Sequence, residues 1–518
     1  MTQPEAQAGR NYPTRETSQS ILVIGSGIAG LASALALSRD GHQVTVLDRD
    51  APPPATSPDE AFTEWNRRGV GHVRHSHAFL AVLYQLLRDT YPDLLQRLLD
   101  AGCRELTFED TLPASLRGSY SPVADDRNLT ILTSRRTTLE CVIRSYVAEL
   151  PNVTLETGVR VRDITVDARS QPPAVTGVMA ETDTKPLAPR PADIVIDATG
   201  RTSQTPQWLA QHGVVPEEET APCGILYFTR HYRLKPGLEE PSRGLVPGAG
   251  DLGYLKYGVF PADNGCFSIT LAVPEIETGL RMALVDPAKF DAACLTLPGI
   301  ADWVSPERSD PASKVLGRGK LASRWRSYVV TDEDGTQSAL VKNYFAVGDA
   351  AIRTNPLYGR GCSCAFVEAH ALADTLQETR NPHDRAINYA ARLEQAIRPY
   401  YDAMIKQDLS SMRRAERGVA GTKSQSLKGR LMASFAEDAV TPSVRGNTNL
   451  LREAMKGFHM LEPPMDWLQR PANLLRILAM WLRPKANKKH LYPPRLGPKR
   501  TEMHQHLNAT PATAPATA

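Results

Sequence analysis

The stretch Ile21–Asp50 reads ILVIGSGIAGLASALALSRDGHQVTVLDRD, and its order of elements decides the fold. Four apolar residues run into Gly-Ser-Gly-Ile-Ala-Gly, a helix-like apolar pattern follows, and a second apolar run ends at Asp48. That is a strand, a glycine turn, a helix and a second strand, the opening of a βαβ unit. A dinucleotide's pyrophosphate needs free backbone N–H groups at a helix N-terminus, which side chains would obstruct. Gly25 permits the tight turn, Gly27 lets the backbone approach the ligand, and Gly30 lets the helix pack on the strand, with Ser26, Ile28 and Ala29 completing the loop. Asp48 follows Gly25 by 23 residues and is placed to accept ribose hydroxyls, with Arg49 beside it. Glycines alone make a weak motif. Strand, glycines, helix, strand and acid in sequence make a specific one.

Further apolar runs at 192–198 and 344–347 extend the set begun at 21–24 and 44–47, predicting one buried parallel sheet assembled from discontinuous pieces. Between them, ILYFTRHYRL (225–234) and CFSITLAVP (266–274) alternate apolar and polar residues, and Pro-Ala-Asp-Asn-Gly (261–265) supplies a hairpin turn. The predicted class is therefore α/β: a Rossmann-like dinucleotide-binding domain over 20–215 and 336–387, with an inserted, mostly antiparallel β-sheet substrate domain over 216–335. Part of 80–130 is expected to join the insert. A flexible tail is expected over 1–19, a helical region over 388–490 and a disordered tail over 491–518.

The 518 residues carry 60 Lys and Arg against 57 Asp and Glu, so a net charge of +3 gives no global signature for nucleic acid. Seven scattered cysteines without a CxxC spacing predict reduced thiols and a cytoplasmic setting. Cys362 and Cys364 lack the roughly four ligands of a zinc site, and His72, His75 and His77 lack the i, i+4 spacing of a helical zinc pair, so no metal is expected. No run approaches the roughly 18 apolar residues of a membrane span. The stretch PPMDWLQRPANLLRILAMWLRPKANKKH (463–490) nevertheless sets Leu474, Leu475, Leu478, Trp481 and Leu482 at helical spacing beside Arg476, Arg483, Lys485, Lys488 and Lys489. Such a helix either packs on a core with a solvated basic end or lies peripherally on a membrane.

ADIVIDATGRTS (192–203) and NYFAVGDAAIRTNPLYGRGCSCAFVEAHALAD (343–374), taken with the opening motif, resemble the fingerprints of the glutathione-reductase-like flavoprotein superfamily (GR2 type). Within it the chain is most similar to the para-hydroxybenzoate-hydroxylase-like branch, which includes flavin monooxygenases, squalene-type epoxidases, geranylgeranyl reductases and halogenases. The resemblance spans roughly 20–375 and implies FAD as cofactor. It places Gly200 in the middle fingerprint and assigns Asp349, after Gly348, to the ribityl chain. It sets the loop Pro356, Gly359, Arg360 and Gly361 before a helix whose N-terminus faces the flavin N1–C2=O edge. It gives Arg135 or Arg136 of TSRRTTLE (133–140) a flavin contact, with Arg136 favoured. RRGVGHVRHSHAFL (67–80) packs three histidines and three arginines into 67–77, predicting an anion contact near the cofactor by Arg74 or His75. The phrases GVGHVRHSHAFL, YFTRHYRL and GVFPADNGCFSITLAVP also resemble a bacterial group of flavin-dependent oxidoreductases related to the polyether-polyketide epoxidases.

The resemblance implies insertion of one oxygen atom from O2, through a flavin C4a-hydroperoxide, into a lipophilic, olefinic or aromatic small molecule. No protein acid or base is assigned. Aromatic hydroxylases of the branch usually carry Asp-Gly where this chain has Asp197-Ala198, which opens two sources of electrons: NAD(P)H directly, or a separate flavin reductase. Alkene reduction of the geranylgeranyl-reductase kind is the main alternative. Halogenation is disfavoured because the Trp-x-Trp-x-Ile-Pro motif is absent. A non-catalytic lipid-binding role of the GDP-dissociation-inhibitor kind conflicts with intact flavin motifs.

Overall fold

The computed structural model describes residues 18–53, 57–421 and 426–511. Its centre is a five-stranded parallel sheet in the spatial order Tyr344–Ala346, Ile194–Asp197, Ser20–Ile24, Gln43–Asp48, Val153–Thr157. Ile21 to Ile24 and Ile194 to Asp197 are buried on both faces, which is why these strands read as unbroken apolar runs. The helix Ile28–Arg39, rich in Ala and Ser, lies across the sheet and packs against the long helix Gly361–Glu378. Small side chains allow that close approach. The fifth strand, Val153–Thr157, is not among the strands expected from sequence; it is an edge strand with half-buried, mixed side chains.

A three-stranded antiparallel sheet of Arg160–Asp167, Ala174–Glu181 and Ala188–Pro191 stands beside the parallel one. The larger antiparallel sheet is built on Ile225–Leu234, Lys256–Pro261 and Cys266–Pro274, with short strands Ala249–Asp251, Ser309–Pro311 and Leu316–Arg318 along its margins. The hairpin expected around Asp263 is present, pairing Pro261 with Phe267. Its core gathers Phe228, Tyr232, Phe267, Ile269, Leu271, Leu284, Phe290 and Trp303. Within 80–130, Arg104–Leu106 pairs with Ile131–Thr133, and Phe79 bridges to Leu132.

Helices dominate from Pro382 to Leu482. Two expectations need correction beyond them. Residues 491–511 are structured: Arg500–His506 is helical, and Met503 and Leu507 are buried in the core of the larger antiparallel sheet. Lys488 is not part of a solvated basic end; its ammonium is buried and donates to the carbonyls of Met480 (2.9 Å), Trp481 (3.4 Å) and Asp438, where it caps the Pro471–Leu482 helix. Residues 1–17 and 512–518 of the expected tails lie outside the described residues. Among the described residues no helix is long and apolar enough to cross a membrane.

Candidate active site

Three sequence motifs separated by hundreds of residues meet at the carboxyl ends of the central strands. A Cβ on Gly25, whose φ is +101°, would lie 2.8 Å from the Ala198 carbonyl oxygen; one on Gly348 (φ +68°) would lie 2.7 Å from Ala29 Cβ. Gly30 is more constrained still, since a Cβ there would sit 1.9 Å from the Gly25 carbonyl oxygen. Gly200 comes within 4.0 Å of Asp349 Cβ on the same measure. Gly25 and Gly30 are needed because backbones touch, Gly348 because Ala29 lies against it, and Gly200 because its φ is +74°. Gly27 and Gly361 differ: the first faces only the Arg67 guanidinium at 3.8 Å, and the second faces open space. Both stand at the starts of helices, Ile28–Arg39 and Gly361–Glu378, that have no side-chain cap. Unsatisfied N–H groups and the positive ends of two helix dipoles are therefore left where backbone can be approached.

Asp48 closes the end of its strand, but its carboxylate is engaged by the protein. Oδ2 accepts from Ser26 N (2.9 Å), the Ser26 hydroxyl and Arg67 Nη1 (3.0 Å), and Oδ1 accepts from Asp50 N (2.8 Å). The Arg67 charge and these hydrogen bonds hold its pKa low against burial, which is the largest single influence and acts upward. With one protein donor on Oδ1, that oxygen retains acceptor capacity for a ribose hydroxyl. Arg67 then passes charge onward, its Nη2 lying 2.9 Å from Glu140 Oε1. Glu140 Oε2 accepts from Arg136 Nε at 3.2 Å, and Arg136 Nη1 lies 2.8 Å from His72 Nε2 and 3.4 Å from His77 Nε2. Arg144 joins at the other end through Ser26 Oγ (2.6 Å). A continuous buried polar chain thus links the glycine loop to the cleft beside Asp349.

Because arginine only donates, Nε2 of His72 and His77 must accept, which places their protons on Nδ1; His77 Nδ1 then donates to the His75 carbonyl at 2.8 Å. Burial first, and the Arg136 charge second, hold both rings well below the ordinary imidazole pKa, so they are neutral. His75 lies against the antiparallel sheet, Nδ1 3.0 Å from Thr229 Oγ1 and its ring edge-on to Tyr227. Burial lowers its pKa to about 3.

Asp349 is the most exceptional group here. Its carboxylate has no hydrogen-bond partner among the described residues, and burial raises its pKa although Arg136, Arg353, Arg324 and Arg201 oppose that rise. A half-buried acceptor without a protein partner, under the influence of four arginine charges, is suited to a ligand hydroxyl. With Gly27 open, two helix N-termini uncapped and Asp349 unpartnered, the residues present fit FAD.

Several expected contacts are corrected. Arg74 is turned away, donating to the carbonyls of Trp65 (2.8 Å), Thr63 (3.3 Å) and Phe62. Arg360 is buried between the rings of Tyr358 and Tyr400, with Nη1 on the Tyr400 carbonyl at 3.1 Å; it braces the loop from behind. Arg49 is largely exposed on the surface, 4.0 Å from Asp50. Pro356 begins a turn capped by Asn355, whose amide donates to Asp408, and Gly359 (φ +65°) completes it. Of the adjacent arginines, Arg136 faces the cleft. Arg135 instead forms a buried pair with Asp263 at 2.6 Å. Arg67 and Glu140 were missed by sequence reasoning, although Arg136, Glu140 and Arg144 at four-residue spacing signalled a charged helix face. Cys362 and Cys364 are both buried, and burial pushes their thiols up. A cavity of about 140 Å³ lined by Phe62, His231, Arg233 and Cys266 is smaller than the several hundred Å³ usual for organic ligands.

Comparison with known proteins agrees with this geometry. Residues 20–111 match the family of FAD dependent oxidoreductases. Rv3254 of Mycobacterium tuberculosis is 28% identical over 373 residues, covering 69% of this chain and 72% of that protein. Squalene monooxygenase SE2 of Panax ginseng is 24% identical over 382 residues, 71% of this chain and 60% of that enzyme. Among solved structures, the flavin-dependent brominase Bmp2 superposes with a TM-score of 0.57 at 14% identity, over 89% of this chain and 100% of that one. PqsL of Pseudomonas aeruginosa, described as a probable FAD-dependent monooxygenase, gives 0.55 at 17% identity over 77% and 97%. The chain has the fold of these flavoproteins, and its residues 20–111 carry the match to FAD dependent oxidoreductases.

Proposed function

We propose that this enzyme is a monooxygenase that inserts one atom of O2 into a lipophilic olefinic or aromatic small molecule. The observation supporting it most directly is Asp349, unpartnered beside Arg136 at the open N-terminus of the Gly361–Glu378 helix. When bound there, FAD supplies the electron transfer and oxygen activation that no protein side chain can. The protein's part is electrostatic and positional. Arg136 and the helix N-terminus hold negative charge in place, and neutral His72 and His77 orient Arg136 without adding charge. Tyr227 and His75 form the wall facing the antiparallel sheet, where burial keeps Tyr227 protonated by pushing its pKa up to about 12. The ring faces of Tyr227 and His75 offer an olefin or aromatic ring a surface to pack on. The name of the Panax ginseng relative, a squalene monooxygenase, points to the same chemistry.

The test is to load the protein with FAD, reduce it without oxygen, and admit isotopically heavy O2 with a panel of polyenes and phenols. The expected product contains one heavy oxygen atom. A saturated product lacking that atom establishes alkene reduction instead, and a halogenated product formed only with added halide establishes the brominase-like alternative. Running the reaction with NADPH, with NADH, and with a separate flavin reductase identifies the electron source; we propose that one of these three supplies it.

A further inference from the structure

Among the described residues, half of the exposed large hydrophobic side chains fall between Leu427 and Leu482. The helix Pro471–Leu482 is held to the body through Ile477 and Asn473. Its Leu474, Leu475, Leu478 and Leu482 occupy another stripe, at i, i+1, i+4 and i+8, with Leu475 and Leu482 exposed by 68% and 85%. The neighbouring helix Leu427–Phe435 buries none of its residues and presents Leu427, Leu431 and Met432. The two helices meet where Phe435 packs on Trp481 and the Trp481 indole N–H donates to Ser434 Oγ at 3.2 Å. Around these stripes stand Lys428, Arg430, Arg476, Arg483 and Lys489, none of which has a carboxylate partner among the described residues. Lys485 differs, being paired with Asp438 at 2.9 Å.

From this we infer that the Leu427–Phe435 and Pro471–Leu482 helices form a docking face for an anionic lipid bilayer. An exposed leucine stripe flanked by cations inserts shallowly among acyl chains while its charges meet acidic headgroups. Charge selects this occupant over a second copy of the chain, because a two-fold contact would set the same unpaired cations against themselves. The face is independent of the flavin chemistry, so its test does not depend on the monooxygenase reading.

The experiment is co-sedimentation of the full-length, FAD-loaded protein with vesicles of phosphatidylcholine alone, or of phosphatidylcholine and phosphatidylglycerol in equal parts, at low and high salt. Binding is expected to the anionic vesicles and to weaken as salt rises. Replacing both Arg476 and Arg483 by Ala should weaken partitioning roughly thirty-fold. Leu475→Asp with Leu482→Asp should weaken it by at least about a hundredfold, and since both side chains are already exposed, the flavin spectrum and melting temperature should not change. No sedimentation with anionic vesicles at low salt overturns the inference, as does binding that both pairs of substitutions leave intact. A concentration-dependent dimer that Leu475→Asp disperses overturns it in favour of self-association.

Discussion

Gly30 and Gly361, from two separate glycine-bearing motifs, predict opposite outcomes. A methyl group at Gly30 meets the Gly25 carbonyl oxygen at 1.9 Å, so Gly30→Ala must displace the loop from its strand. Overpacking of this kind costs about 1–3 kcal/mol, and FAD should be lost on gel filtration. Gly361→Ala adds its methyl to open space, so the melting temperature should hold while retained flavin falls, if the helix N-terminus is approached by the isoalloxazine edge. Equal loss of stability in the two variants would contradict the assignment. His75 makes a further prediction. Its pKa is about 3 when folded and 6.5 when free, so the unfolded chain takes up the proton first. Stability is then complete above about pH 6.5 and declines as pH falls toward 3, by about 1.4 kcal/mol per unit for this one group. Urea midpoints at about pH 7.5 and pH 5 should show the decline, and His75→Gln should make it shallower. The close packing around Gly25 and Gly30 was legible because it follows from a local pattern, whereas Asp349 was singled out only through resemblance to a family. Arg135 and Arg136 are chemically identical neighbours, and only the direction of each side chain, set by helix start and Asp263, separates them.

Elements were legible in proportion to how completely they are buried. The strands at 20–24, 194–197 and 344–346 carry apolar side chains on both faces, while Val153–Thr157 at the sheet edge alternates with Thr and Glu and left no run to detect. The Arg160–Glu181 hairpin was obscured in the same way, since Arg162 pairs with Glu181 on its solvent face. The Lys256–Pro274 hairpin was plain from its turn, but not the turn's second purpose. Asp263, fully buried, accepts from Arg135 N (2.7 Å), Arg135 Nη2 (2.6 Å) and Thr138 Oγ1 (3.0 Å), fastening the antiparallel sheet to the start of the Arg136–Ala148 helix. Asp263→Asn removes the buried one of the two carboxylates that balance the Arg135 guanidinium, leaving only the half-exposed Asp59 at 2.8 Å. A loss of about 3–5 kcal/mol in chemical denaturation is expected, with weakened flavin binding because Arg136 is the next residue. If stability is unchanged, the turn does not fasten the two sheets.

At the scale of the whole molecule, the chain closes on itself. After the C-terminal helices, residues 491–511 return to the antiparallel sheet, where the Arg500 guanidinium donates to Glu277 through Nε (2.5 Å) and Nη2 (3.0 Å), and His504 Nε2 lies 3.2 Å from the same carboxylate. Glu277 and His504 are buried, and Met503 and Leu507 complete the apolar core beneath them. The sequence hid this because the segment is mostly polar and Pro-rich and its buried anchors are few. Ending the chain after His490 should therefore do more than shorten a tail: it leaves Glu277 buried without its cation and opens the core where Met503 was, each a change of several kcal/mol. The truncated protein should melt at lower temperature, and limited proteolysis should cut first within 225–311 while the parallel sheet resists. Restoring Glu277 neutrality with Glu277→Gln in the truncated chain should recover part of the loss, since the unpaired charge is removed and the cavity is not. Recovery of all of it would mean the segment serves only to balance Glu277; recovery of none would place its contribution in packing alone.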